Sequence, residues 1–586
     1  MNDDRTASPA SAASPASVAA AAADPAARPP RASATLVVVR DAPVGFEVLL
    51  LRRAERGDHN SGAWVFPGGI VDARDRDAAP LCSGLDDAQA SRLLGLESGG
   101  IGYFVAAVRE CFEESGLLFA YDAPGVLLAP ARDAAAQLAD WRAKLHRGER
   151  SMADLCRDEG LTVAADRLAY FSHWLTPPGR AKRFDTRFFI AEAPPAQTVS
   201  HDGIEAVEHR WMSPADALAR AGEGDAFKLM TPTQKTLEAI ARFDRAAALL
   251  EWARAPRTVP LVMPRVGVGA QGPRPVTPDE PAWAEIGRID PQGHGHASYD
   301  IRPGVAVRLS PHLVRVTAHN GSVMTGPGTN TYLVGGGPRN EWAVIDPGPA
   351  DKHHVRAVLA AAPGPVKWIL ATHTHMDHSP AVALLKAETG AAVYGRRPAH
   401  PEWQDASFEP DHELAGGERL TLDEGITLRA IHTPGHASNH LCYLFEQERT
   451  LFTGDHVMQQ STVVINPPDG DMAAYIGSLR ALLRDEADAL QWLAPGHGFL
   501  MAEPRRALQW IVEHRLKREA KVLDALRDLG PATVEQLLVQ VYDDVPARMH
   551  GVATRSLKAH LLKLRDEGRA RHDGGADELG RWALAR

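Results

Sequence analysis

Residues 369–382 read ILATHTHMDHSPAV. Three histidines and an aspartate fall within six positions, His373 to His378, directly after the run Val366 to Ala371, apolar but for Lys367. A strand that ends in a short polar loop is a rigid base from which side chains can converge on an ion. Histidines at i and i+2, His373 and His375, can meet one ion. Asp377 and His378 can reach a second. A lone His-x-His is as well explained by surface or core packing, but four ligand side chains in six residues are far more specific. More candidates follow at ordered distances: His436 after Pro-Gly in IHTPGHASNH, Asp455 after an apolar run in TLFTGDHV, and His497 in the tight turn of WLAPGHG. Upstream, WAVIDPGPA puts Asp346 at another strand end.

At 586 residues the chain has room for roughly three to four domains. Its net charge of −10 advertises no general attraction to nucleic acid or membrane. Cys82, Cys111, Cys156 and Cys442 are scattered without a CxxC pair, which fits a reducing compartment and no disulfide framework. No apolar run approaches the roughly 18–20 residues of a membrane helix. The N-terminal stretch begins with acids, and prolines break its alanines, unlike a secretory signal. The expectation is a disordered Ala/Pro-rich tail over 1–31, a cytoplasmic location and no membrane partner.

Composition divides the rest. ATLVVVRD and FEVLLLRR read as paired strands opening a unit over 32–254. Residues 255–300 are rich in Pro and Gly and read as a linker. A second unit covers 301–503. After it, residues 504–586 turn helical, with apolar residues at three- and four-residue steps.

The first unit carries a second acidic cluster. WVFPGGIVDARD is followed by AVRECFEESGLL. On a helix Glu110, Glu113 and Glu114 share a face, with Arg109 adjacent. Three carboxylates so placed repel unless a hard divalent cation, Mg²⁺ or Mn²⁺, sits between them. A bare ExxEE is more often a solvated face. Here RECFEESGL resembles the second half of the Nudix hydrolase signature GX5EX7REUXEEXGU, with Gly69 as its leading glycine. Asp75 stands where that family has Glu, and 33 residues rather than seven separate it from Arg109. A subgroup resembling peroxisomal coenzyme A diphosphatases has a similar insertion, and FPGGIVD and HWLTPPGRAKRFDTRFFIA resemble that subgroup too. The resemblance implies a Nudix α/β/α sandwich that cleaves a small-molecule diphosphate. Glu113 and Glu114 would be its main ligands, Glu110 would assist, and Glu205 or Glu208 would be a further base or ligand. Arg180, Lys182 and Arg183 are candidate contacts for substrate phosphates, although an ordinary exposed strand edge is the readier explanation.

The histidine constellation, with TGPGTNTYLVGG, resembles the metallo-β-lactamase superfamily over about 200 residues. This implies an αββα sandwich with its site at one sheet edge. By the resemblance His373, His375 and His436 hold one Zn²⁺, and Asp377, His378 and His497 hold another. Asp455 bridges the two, and Asp346 supports them. His432, His440 and His456 are not motif ligands, and the last two are outer neighbours. Two such ions would acidify a shared water, with Asp377 holding the nucleophile. Asp455 with His378 points away from a true antibiotic-cleaving lactamase and toward thioester and phosphodiester hydrolases.

Residues 504–586 hold 16 Lys/Arg and 12 Asp/Glu, a charge of +4. Helix, turn, helix and a hairpin at Gly-Gly form a small winged-helix pattern. Arg555 and Lys558, with Lys563 and Arg565, are candidate nucleic-acid contacts; a packing or dimerisation appendage is the plainer alternative. VYDDVPARMHGVATRSLKAHLLKLRDEGRA resembles the C-terminal domain of the mitochondrial β-lactamase-like endoribonuclease family, which implies single-stranded RNA as a partner. In DHSPAV, Pro380 and Ala381 stand where that family usually has Gly-Gly. The expected whole is an α/β and α+β multidomain hydrolase. Three readings stay open: cleavage of RNA, cleavage of a glyoxalase II or acyl-CoA type thioester, and a non-catalytic binding role for the Nudix or winged-helix part. Homo-oligomerisation is open as well.

Overall fold

The computed structural model describes residues 29–55, 61–129, 135–221, 227–459, 461–574 and 580–585. Most of the expected N-terminal tail lies outside these residues. The chain divides into two compact units, 1–263 and 264–586.

The first unit is built on one mixed sheet. Its strands run in the order Ala206–Met212, Phe46–Arg53, Arg31–Asp41, Phe184–Glu192, Ala169–Leu175 and Leu261–Val262. Strand Arg31–Asp41 lies centrally and is covered on both faces, which explains its unbroken apolar run. Leu36 and Val38 face a core shared with helix Ile101–Ser115. Val37 and Val39 face the opposite core, shared with helices Thr231–Ile240 and Ala246–Arg254. This is the expected α/β/α sandwich. Helix Ile101–Ser115 has no capping side chain at Gly100. Instead the Asp87 carboxylate accepts from the Gly99 and Ile101 amides at 2.9 and 3.1 Å. Gly116 ends the helix at φ +77°, in the left-handed region that glycine tolerates.

The second unit contains two sheets packed face to face. The seven-stranded sheet runs from Ala306–Ser310 to His412–Glu413, and the five-stranded sheet from Arg419–Asp423 to Trp492–Pro495. Their inner faces share a core of Tyr332, Ile345, Leu428, Tyr443 and Phe452. Helices Lys352–Ala361 and Val382–Thr389 cover one outer face, and helices Met472–Asp485 and Pro504–Leu529 cover the other. The four layers are the expected αββα sandwich.

Helix Pro504–Leu529 spans two cores. Leu508 and Ile511 pack on the sandwich, whereas Val522 and Leu526 pack with helices Val534–Val541 and His550–Asp566 and the paired strands Ala570–His572 and Trp582–Leu584. The helix that begins at Pro504 thus ties the winged helix continuously to the sandwich.

The expected linker over 255–300 is corrected by the structure. Leu261–Val262 joins the first sheet beside His173 and Trp174. Strands Arg265–Gly267 and Arg274–Val276 pair with each other, and helix Trp283–Ile289 follows. Val276, Ala282, Ile286 and Ala297 pack with Phe499. Pro and Gly here make tight turns between very short elements, a composition indistinguishable from that of a flexible linker.

Candidate metal centres

Strand Val366–Leu370 delivers the loop that begins at Thr372. Asp346, at the end of the neighbouring strand Glu341–Ile345, holds that loop from below. Its Oδ1 accepts from the Thr372 amide at 2.7 Å and its Oδ2 from the Thr372 hydroxyl at 2.8 Å. His378 Nδ1 lies 2.9 Å from the same Oδ2. Asp346 takes a φ of +51° to do so, a conformation rare outside glycine.

The structure brings together all seven ligand candidates in two groups. His373, His375 and His436 form one; Asp377, His378, Asp455 and His497 form the other. In each group the potential ligand atoms lie within 4.8 Å of one another. His375 Nδ1 stands 3.0 Å from both His373 Nε2 and His436 Nε2. Asp455 faces both groups, with Oδ1 at 3.4 Å from His378 Nε2 and 3.3 Å from His497 Nε2, and Oδ2 at 3.7 Å from His436 Nε2. Asp377 Oδ2 is 3.4 Å from both His378 Nε2 and His497 Nε2.

The donor set fits a metal pair. The outward nitrogens are fixed: His436 Nδ1 by the Val464 carbonyl at 2.8 Å, and His497 Nδ1 by the Gly328 carbonyl at 3.2 Å. The inward atoms His378 Nε2, His497 Nε2 and Asp455 Oδ1 are buried without a hydrogen-bond partner. An orphaned buried polar atom costs about 1–3 kcal/mol. Burial, reinforced by neighbouring histidines, holds His373 well below the usual imidazole range and His375 down to about 4. Both are therefore neutral and able to ligate at pH 7. His497 moves the other way: burial opposes its charge, but Asp455 and Asp377 outweigh it and raise it to about 9. Gly496 is required by closeness, since a Cβ there would lie 2.7 Å from Asp455 Oδ1.

His440 and His456 lie behind this centre. The His440 ring stacks on His373 at 5.1 Å and its Nδ1 lies 2.9 Å from the Thr433 hydroxyl. Sequence reasoning missed Gln404 and Asp469. Gln404 Nε2 donates to Asp469 at 2.6 Å, while Asp469 also accepts from the Ser438 hydroxyl. These bonds tie three loops around the ligands, and no local pattern announces them. Ala381, the residue standing for the expected second glycine, is fully buried in the core that includes Val355 and Val358 of the Lys352–Ala361 helix.

Above the centre lies a cleft of about 1720 Å³. His375, Asp377, His436, Asp455 and His497 lie along it. Val323, Met324 and Trp403, all exposed, give it an apolar rim. Arg555, Lys558 and Arg565 of the winged helix line it too, with His572 and Trp582. Lys563 is engaged elsewhere, paired with Glu519 at 2.7 Å.

In the first unit Glu113 and Glu114 are 7% and 5% exposed. Arg109 Nη1 donates to Glu110 at 2.8 Å, and the Gly68 amide donates to Glu114 at 3.0 Å. Gly69 sits so close that a Cβ would lie 2.4 Å from the Glu110 carboxyl. Burial raises all three glutamates, Glu113 to about 7 and Glu114 well above its ordinary range, with only partial relief from Arg109 at Glu110 and Glu113. Glu205 adds to the repulsion at Glu110 and Glu114. Such an excess of buried carboxylate suits a hard cation, although these glutamates do not close as tightly as the three-histidine group or the group of Asp377, His378, Asp455 and His497. Glu208 instead pairs with Arg210 at 2.6 Å. Arg183 Nε donates to the Thr176 carbonyl at 3.1 Å and Lys182 is exposed. Neither contact joins them to the glutamates.

Family comparisons agree with this geometry. The profile of the metallo-beta-lactamase superfamily matches residues 324–497, that of the NUDT19 Nudix domain 88–236, and that of the beta-lactamase associated winged helix domain 533–582. A beta-lactamase-like protein 2 homolog of Drosophila melanogaster is 31% identical over 284 residues, 46% of this chain and 94% of the relative. The chain belongs to the metallo-β-lactamase superfamily. An atrochrysone carboxyl ACP thioesterase of Aspergillus chevalieri is 32% identical, over 44% of this chain and 82% of the relative. A metallo-beta-lactamase family protein of Thermus thermophilus has a solved structure at 22% identity and TM-score 0.40, covering 47% of this chain and all of that one. The metallo-β-lactamase fold implies a metal, and the candidate cluster sits at the sheet edge where the ligand loops meet. The Nudix domain implies a divalent metal of its own. Both are hydrolase families. No helix among the described residues is long and apolar enough to cross a membrane.

Proposed function

We propose that the metallo-β-lactamase domain is a dizinc hydrolase that cleaves a phosphodiester in single-stranded RNA. The Nudix domain is read as a Mg²⁺- or Mn²⁺-dependent hydrolase of a small-molecule diphosphate. The observation that carries the first reading is Asp455, whose two oxygens face the two ligand groups on the floor of a cleft lined by winged-helix cations. His373, His375 and His436 would hold one zinc, and Asp377, His378 and His497 the other. Bound there, the pair would supply Lewis acidity and a water acidified toward neutral pH.

The chain's own residues do the rest. Asp377, its carboxylate kept ionised by His378 and His497 against the effect of burial, can orient the attacking water by accepting its proton in a hydrogen bond. Arg555, Lys558 and Arg565 are placed to meet phosphates. In the Nudix domain Glu113 and Glu114, assisted by Glu110, would hold the cation. Four free cysteines support a reducing, cytoplasmic location.

A second reading, hydrolysis of an acyl thioester, draws on the apolar rim of Val323, Met324 and Trp403 and on the thioesterase relative. The full chain, loaded with zinc, should be assayed on single-stranded RNA and on acyl thioesters side by side. RNA cleavage at a kcat/KM at least about tenfold above thioester turnover supports the first reading. The reverse order replaces it with the second.

A further inference from the structure

Residues 264–301 fall between the matched family regions, which end at 236 and resume at 324. They fold into a small body with its own helix, Trp283–Ile289, and its own paired strands. This body grips the loop that follows His497 by three independent contacts. Glu285 is 2% exposed and forms a two-point ion pair with the equally buried Arg315, at 2.6 and 2.9 Å. The same carboxylate accepts from the Leu500 amide at 2.8 Å. Gln459 makes the second link: its Nε2 donates to the Pro281 carbonyl at 2.8 Å, and its Oε1 accepts from the Phe499 amide at 3.1 Å. The Phe499 ring is the third, packed among Val276, Ala282, Ile286 and Ala297. Asn330 fixes the loop from the sandwich side, donating to the Gly498 carbonyl at 2.8 Å.

The geometry points to a positioning role: Glu285 and Gln459 hold residues 498–500 so that His497 meets the ligand group of Asp377, His378 and Asp455, which makes residues 264–301 a working part of the metal hydrolase. The same body contributes Pro281, Tyr299 and Asp300 to the cleft. The inference rests on the metal-hydrolase reading above. A buried carboxylate suits this task because one group can accept a backbone amide and two guanidinium hydrogens at fixed angles. Displacing such outer partners typically costs about 10–100-fold in metal affinity. The bonds of Glu285 and Gln459 do not reach the His373, His375 and His436 group, which should be spared.

The test uses the full chain, stripped of metal and titrated with Co²⁺ while its d–d absorption is followed. One variant is Gln459→Leu, which removes both links of Gln459 and strands no charge. The other is Glu285→Gln with Arg315→Met, which removes both buried charges together. The expected result is that one cobalt equivalent weakens by about tenfold or more, the other keeps its affinity, and thermal unfolding of the metal-free Gln459→Leu chain is unchanged. Hydrogen exchange of the 496–500 backbone in metal-free protein should also speed up. If the double variant does not fold, Gln459→Leu decides alone. Unchanged affinities and unchanged exchange overturn the inference. Equal weakening of both equivalents together with a lower Tm overturns it too, because that signals general destabilisation. A wild-type chain that takes up no Co²⁺ refutes the metal-hydrolase reading instead, and the exchange measurement still decides whether Glu285 and Gln459 brace the loop.

Discussion

Asp75 and Arg109 form a two-point ion pair across 34 positions of sequence, at 2.8 Å from Nε and 3.0 Å from Nη2. Arg109 Nη2 also donates to the Ile70 carbonyl at 2.8 Å. The long insertion within the Nudix signature therefore leaves its two halves in register. Asp75, shorter than the family's glutamate, orients the arginine that in turn touches Glu110 and Glu113. Asp75→Ala would leave a nearly buried guanidinium short of its main partner. We expect a loss of about 3 kcal/mol in urea unfolding of the first unit, together with weaker diphosphate hydrolysis. Unchanged unfolding would show the pair to be incidental.

Glu113 is raised to about 7 by burial, with Arg109 opposing and Glu110 adding to the shift. A divalent cation should displace its proton. Adding Mg²⁺ to the full chain at about pH 6.5 should release protons, and Glu113→Gln should abolish that release. The same variant should lose Mg²⁺-dependent turnover of a nucleoside-diphosphate and coenzyme A panel by at least about 100-fold, while zinc-dependent hydrolysis stays at the wild-type level. Retained Mg²⁺-dependent turnover excludes Glu113 as a ligand.

Two buried histidines away from the ligands make stability pH-dependent. Burial lowers His354 to about 4 and His560 to about 4, the latter against an opposing Glu519. Below an unfolded value of roughly 6.5 the unfolded chain takes up protons that the folded chain refuses. Their contribution to stability should be constant above that pH and fall as pH drops toward 4, by about 2 kcal/mol per histidine at pH 5. Chemical denaturation across this range checks it, and His560→Leu should flatten the winged-helix part of the loss. A His560→Leu chain with the same pH dependence as wild type would contradict the assignment.

Arg555 is exposed and Lys558 half-buried where they line the cleft. If they meet RNA phosphates, each alanine variant should raise KM with zinc content unchanged, and should lower the slope of log affinity against log salt by about 1. Variants with wild-type KM and salt slope would return the winged helix to a packing role.

The parts legible in the sequence were those written in local pattern. The central strand Arg31–Asp41 announces itself by a run buried on both faces. The ligands announce themselves because His373, Asp455 and His497 each follow an apolar segment and sit where a strand stops. What stayed hidden depends on residues far apart in sequence. Glu285 reads as one acid in a Pro/Gly-rich stretch until Arg315 and the Leu500 amide are seen around it. Gln404 and Asp469 likewise have no periodicity to betray them. The contact of Arg183 Nε with the Thr176 carbonyl, across the turn between its strands, likewise follows from no local pattern. Pro380 and Ala381 looked like a change beside the site, yet Ala381 belongs to the core under a helix.

The dizinc reading depends on Asp455 joining two metal positions, and elemental analysis of the purified full chain measures this directly. Wild type should carry two zinc ions, and Asp455→Ala should retain at most one. A wild-type chain without zinc, or an Asp455→Ala chain that still holds two, would contradict it.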